Sequence, residues 1–219
     1  MTTSLSREQA VELINRLDQR FASSADELNA LDAAVGDGDH GTTIHRGMTA
    51  AAQAVNTANA ETAGEVFAVA GDAFQRSSGG AGGLLFAQIF KSIGLATGVS
   101  DISISAVGEG LAKAVEQISR FGRSNPGDKT MLDALAPAAE AFDGDQTEAA
   151  LLSAVRAAED GSAATKEMAA TQGRARYVAD GGRGHVDPGA RSVAIILKTL
   201  ADVWTSSETG DGSQAKADL

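Results

Sequence analysis

The chain has 219 residues, no cysteine, 18 basic against 29 acidic side chains and a formal net charge of −11. That length fits one domain with a full core, and the missing cysteine excludes disulfides, thiolate metal sites and cysteine nucleophiles. Such an acidic surface is a poor match for a nucleic-acid backbone, which clustered Lys and Arg bind, so phosphorylated compounds would be held through cations.

Helical periodicity runs through nearly the whole sequence. "SREQAVELINRLDQRF" opens with a capping box, Ser6 with Gln9, and puts Ala10, Leu13, Ile14, Leu17 and Phe21 on one face. "ELNALDAAV" also reads as helix. Further stripes are Ile44, Met48, Ala51, Val55; Val66, Ala70, Phe74; and Leu85, Ile89, Ile93. "DISIS" at 101–105 alternates like a strand but is too short to outweigh its surroundings, and Val107, Leu111, Val115 and Ile118 resume the helical pattern. Helices are predicted over 129–142, 146–158, 162–172 and 188–204. The expected fold is all-α, a single-domain bundle or barrel over 1–205, with "SSETGDGSQAKADL" at 206–219 as a polar, disordered tail. The start lacks the apolar core of a signal peptide, and no apolar run approaches the roughly 18 residues of a membrane span. The expectation is therefore a cytoplasmic protein that binds neither membrane nor nucleic acid.

The unusual residues fall between helices at four places. "LDAAVGDGDHG", 31–41, crowds Asp32, Asp37 and Asp39 around Gly36 and Gly38. Its letters match a dinucleotide fingerprint, but carboxylates inside the loop would repel a pyrophosphate and no strand precedes it. Two readings remain. The glycines let three carboxylates converge on a hard cation such as Mg2+, or Asp37 or Asp39 caps a helix beginning near His40.

"SSGGAGGLLF", 77–86, is either an anion site made of amides at a helix start or a tight interhelical turn. In "NPGDKTMLDAL", 125–135, a turn at Asn125–Gly127 leads to Asp128 as N-cap and inward-facing Met131, Leu132 and Leu135. Lys129 at a helix start opposes the macrodipole, a hint of another task. "GRARYVADGGRGHVDPGARS", 173–192, pairs Asp187 as N-cap with Pro188 at the first helical position and concentrates Arg174, Arg176, Arg183 and Arg191. Among His40, His45 and His185, His40 is the leading ligand or acid–base candidate because it adjoins the carboxylates.

Read together and in order, "LDAAVGDGDHGTT", "GGAGGLLF", "GDKTMLDALAPA" and "GRARY…GHVDPGARS" resemble the nucleotide-binding L subunits (DhaL) of dihydroxyacetone kinases and the homologous domain of single-chain kinases, over about residues 5 to 205. The resemblance implies a barrel of about eight antiparallel helices whose loops at one end hold ATP or tightly bound ADP through two Mg2+ ions. It makes Asp32, Asp37 and Asp39 the metal ligands. His40, Gly41, Thr42 and Thr43 would line the phosphates, with Ala81 and Gly82 in the glycine-rich loop. Gly127, Met131 and Leu132 would border base and sugar, and Arg174, Asp187, Pro188 and Gly189 would complete the pocket. The family often carries a hydroxyl residue where this chain has Gly82.

The implied activity is phosphoryl transfer from Mg-bound nucleotide to dihydroxyacetone held on a separate K-type subunit. The donor would be exchangeable ATP, or bound ADP recharged by a phosphotransferase-system phosphoprotein. A homodimer is a further expectation. The alternatives are a tetrulose or other acceptor, and a non-catalytic nucleotide-binding adaptor.

Overall fold

The computed structural model describes residues 4–98, 101–142 and 147–209; side chains are described to residue 206. Eight α-helices lie among these residues: α1 Arg7–Ala33, α2 His40–Thr57, α3 Ala63–Ser78, α4 Gly80–Thr97, α5 Ile104–Gly122, α6 Leu132–Glu140, α7 Glu148–Ala164 and α8 Pro188–Thr209. Two short strands, β1 Ser4–Leu5 and β2 Ile102–Ser103, pair antiparallel. Of "DISIS", then, only two residues are strand. Ser103 immediately caps α5 by accepting from the Ala106 amide at 3.1 Å.

The predicted capping box is present at α1, and the predicted face is buried. The two helical stretches read before residue 35 are one helix of 27 residues. Inside it, Ser23 satisfies its hydroxyl on the Arg20 carbonyl at 2.9 Å, so the serines do not interrupt it. Each helix packs against the next in chain order, and α8 returns to α1, which closes a ring. Successive neighbours joined by short connections must run antiparallel. The four connections that leave odd-numbered helices therefore share one end of the barrel, and they carry the four unusual stretches.

The interior holds Phe67, Phe74, Phe86 and Phe90, whose ring centroids lie 6.0 to 6.4 Å apart, and the fully buried Trp204. Among the described residues no helix is long and apolar enough to cross a membrane.

The structure corrects two predicted helices. The one expected at 162–172 does not form; α7 instead runs unbroken to Ala164 and a single 3-10 turn, Thr165–Glu167, follows. Gly161, inside α7, is a point of close approach, since a Cβ there would collide with the Asp133 carbonyl of α6. The helix expected from 129 begins at Leu132, because Lys129 is left-handed at φ 60°. At the C-terminus α8 continues past residue 205 to Thr209, and the rest of the predicted tail, 210–219, lies outside the described residues.

Candidate metal and phosphate site

One pocket of about 510 Å3 opens at the end where the odd connections meet, and all four contribute to its wall. In the α1–α2 connection, Asp32, Asp37 and Asp39 bring one carboxylate oxygen each to within 4.8 Å of one another. A Cβ at Gly36 would displace the Asp32 carboxylate, and Gly38 is left-handed at φ 77°.

Asp39 stands at the N-cap of α2 yet makes no side-chain capping bond. The helix start is satisfied from α1 instead. Asp32 Oδ2 accepts from the Asp39 and His40 amides at 3.0 and 3.3 Å, and Asn29 Oδ1 accepts from the Thr42 amide at 3.0 Å. The capping alternative is thus not what the structure shows, and a carboxylate at a helix start without capping duty suits an all-oxygen cation site. The donor set fits Mg2+, which usually takes one or two protein carboxylates and leaves positions for water and phosphate oxygens. Arg174 pairs with Asp37, and that hydrogen bond holds the Asp37 carboxyl below the usual carboxylate range.

Opposite lies the first turn of α4. Gly79 and Gly80 are left-handed, at φ 65° and 63°, and no side chain caps the helix. Its leading amides, those of Gly80, Ala81 and Gly82, precede the repeating intrahelical bonds, and Ala81 and Gly82 are exposed on the pocket wall. The Ser78 hydroxyl, in contrast, turns back onto the Phe74 carbonyl at 2.5 Å. Arg46 ties this loop to α2, donating to the Ser77 and Ser78 carbonyls at 3.2 Å each. A helix start without a side-chain cap, beside three carboxylates that could hold a cation, suits a polyphosphate.

His40 faces the pocket, but its ring is committed to the barrel. The Ser192 hydroxyl donates to the Pro188 carbonyl at 3.0 Å, so His40 Nε2, 2.9 Å from that hydroxyl, is the donor of the pair. Burial pushes the imidazole down to about 4, which keeps it neutral. Asp187 caps α8 through the Ala190 amide at 2.7 Å, as predicted, and Pro188, Gly189 and Met131 form the wall beside it.

Several predicted residues are elsewhere. Gly41 is buried against α1, where a Cβ would strike the Ala25 carbonyl, and Thr42 is held by Asn29. Leu132 is fully buried in the core and Gly127 is exposed off the pocket, its amide on Asp133 Oδ1 at 2.5 Å. Asp128 caps no helix; it accepts from the Asn125 amide at 2.7 Å and from the Thr171 hydroxyl. Of the four arginines only Arg174 lines the pocket, while Arg176 lies over Tyr177, Arg183 faces Asp180 and Arg191 holds Glu27. His45 faces Asp18 at 3.5 Å, and His185 contributes its carbonyl, not its ring, to the bonds described below. Sequence reading missed Asn29 and Arg46, which carry no motif of their own.

An all-α barrel that presents a carboxylate trio and an uncapped helix start at one end offers a candidate site for a cation and a phosphorylated ligand. The chain belongs to the DAK2 domain family, whose model matches residues 34–202. It is 34% identical over 203 residues to the D-erythrulose kinase of Mycolicibacterium smegmatis, covering 88% of this chain and 35% of that one. It is 30% identical over 204 residues to the ADP-binding subunit DhaL of the PEP-dependent dihydroxyacetone kinase of Escherichia coli K12, covering 90% of this chain and 97% of that one. The dihydroxyacetone kinase of C. freundii, solved in complex with AMP-PNP and Mg2+, aligns with a TM-score of 0.66 at 27% identity, over 88% of this chain and 33% of that one. The chain thus spans about a third of the single-chain kinases it resembles and nearly the full length of the DhaL subunit.

Proposed function

We propose that this chain is the nucleotide-binding, phosphoryl-transferring subunit of a dihydroxyacetone kinase, with the ketone held on a separate K-type subunit. The observation that carries it is the convergence of Asp32, Asp37 and Asp39 with the α4 helix start in one pocket. Near-complete coverage of a subunit named for ADP binding supports the same reading.

Asp32, Asp37 and Asp39 would hold the Mg2+ ions, two by family resemblance. Bound there, Mg2+ supplies neutralisation of phosphate oxygens and of the charge that develops during phosphoryl transfer. The amides of Ala81 and Gly82 and the guanidinium of Arg174 would bind phosphate oxygens, and Met131, Pro188 and Gly189 would flank the nucleoside. Positioning and preorganised charge are most of what this reaction asks of a protein. A cytoplasmic setting goes with a nucleotide or phosphoprotein donor, and a homodimer is compatible with the reading.

The test is turnover. The chain is mixed with a K-type subunit, dihydroxyacetone and either ATP or a phosphotransferase-system phosphoprotein. One donor should give dihydroxyacetone phosphate, and the chain alone should give none. No turnover with either donor and any short ketose would overturn the proposal. A second reading, the same transfer to a tetrulose, is favoured by the identity to erythrulose kinases, 34% and 35% over about 200 residues. Running the assay with erythrulose separates the two.

A further inference from the structure

Lys129 is only 1% exposed and stands in the left-handed region at φ 60°. Its ammonium donates to the carbonyls of Thr165 and His185, each at 2.5 Å. Neither feature comes cheaply: a buried ammonium gives up hydration, and a non-glycine residue in that backbone region is strained. An apolar side chain could fill the same space, so packing alone does not explain a lysine.

Its partners do. Thr165 and His185 are the two ends of the long α7–α8 connection, whose regular structure is limited to isolated 3-10 turns. The same neck is closed by the Gly184 amide on the Lys166 carbonyl at 2.7 Å and by the Asp187 amide on the Thr165 hydroxyl at 2.9 Å. The loop between these ends returns on itself as an Ω-loop, resting on the acidic connection through Val35, Ala170 and Ala175. Lys129 reaches this neck from the turn that carries Met131, two residues on. Directly past the neck come Asp187, Pro188 and Gly189, and a Cβ at Gly189 would sit 3.3 Å from that of Met131.

Resting on the nucleotide reading above, we infer that Lys129 is a positioning residue: by clamping both ends of the α7–α8 connection it fixes the Met131 wall against the Asp187–Gly189 wall and so sets the affinity for the nucleoside half of the ligand. Lys129 borders the same pocket, but its two hydrogen bonds go to the neck and not to the carboxylate trio or the α4 helix start. Arg174 lies inside the clamped loop and pairs with Asp37, so loss of Lys129 weakens a bare polyphosphate too, but a nucleoside diphosphate more.

The experiment measures binding of Mg·ADP and of Mg·tripolyphosphate to wild type, Lys129→Met and Thr165→Val, with a thermal melt of each. Methionine keeps an unbranched side chain and the left-handed strain and removes the charge together with both hydrogen bonds of the clamp. Lys129→Met is expected to weaken Mg·ADP by about tenfold or more, a misplacement effect, and Mg·tripolyphosphate by clearly less, about threefold, through Arg174. Thr165→Val, which removes the Asp187 amide's partner while leaving the lysine in place, should shift the same ratio in the same direction and serves if Lys129→Met fails to fold. A ratio unchanged in the folded variants, whether or not they melt earlier, overturns the inference and leaves the proposed function standing. Wild type that binds no Mg·ADP overturns both.

Discussion

Asn29 and Thr42 are bonded twice: Asn29 Nδ2 donates to Thr42 Oγ1 at 2.9 Å, and the Thr42 amide donates to Asn29 Oδ1 at 3.0 Å. One helix thereby caps the start of the next, and Asp39, at the position where a cap normally sits, has no capping bond. Removing that bond by Asn29→Ala leaves the Thr42 amide open to the Asp39 carboxylate. The expected result is a loss of about 1 kcal/mol in stability, the usual worth of a cap. Mn2+ affinity should fall by roughly 3- to 10-fold in a titration followed by paramagnetic resonance, since one ligand now has a competing partner. Unchanged affinity would show that Asp39 does not need Asn29.

Asp187 predicts an unusual pH dependence. Burial raises its carboxyl from 3.8 to about 7, although the Ala190 amide and the Lys129 ammonium pull the other way. Folded chain keeps this proton up to about pH 7 while unfolded chain releases it near 3.8, so stability falls as pH rises through that window. The loss at the upper end is on the order of 2–4 kcal/mol. Asp187→Asn stays neutral and still caps, so its melting temperature should decline less between about pH 5 and about pH 8 than that of wild type. Parallel declines would mean that the carboxyl is not held up.

Gly161→Ala tests the α6–α7 contact. The added methyl would meet the Asp133 carbonyl, a backbone atom that cannot rotate away. Destabilisation of about 1–3 kcal/mol is expected by denaturant unfolding, despite the better helix propensity of alanine. A neutral or stabilising result would contradict the packing role.

Gly82→Ser goes the other way. A Cβ at Gly82 has no neighbour within 4 Å, and the position lines the pocket. A hydroxyl there is expected to tighten Mg·ADP by about 3- to 10-fold, the worth of one hydrogen bond, with no loss of melting temperature. Weaker binding would show that the open space serves the ligand as it is.

These residues also show what the sequence could and could not disclose. The α1 capping box, its buried face and the Asp187–Pro188 helix start are local patterns, governed by residues three or four apart, and they are in the structure as read. That loops at one end form the site is implied by the family resemblance; the predicted helices alone do not give it, because the extra helix expected at 162–172 would send the fourth stretch to the opposite end. Long-range contacts were not legible. The Asp133 carbonyl that meets Gly161 and the two bonds between Asn29 and Thr42 join residues that no local pattern connects. Leu132 belongs to the core by its burial although it sits within a site motif. The arginine cluster dissolves into separate pairs with Tyr177, Asp180 and Glu27, leaving Arg174 alone at the pocket.

The most direct measurement is calorimetry of ADP binding to wild type and to Asp37→Ala, each with Mg2+ and with a chelator. Wild type should bind ADP with Mg2+ and lose it with the chelator. Asp37→Ala should bind at least about tenfold more weakly, since even partners behind a metal ligand contribute about 10- to 100-fold. Equal affinity in the two proteins, or binding that ignores the chelator, would contradict a cation bridge between these carboxylates and the nucleotide.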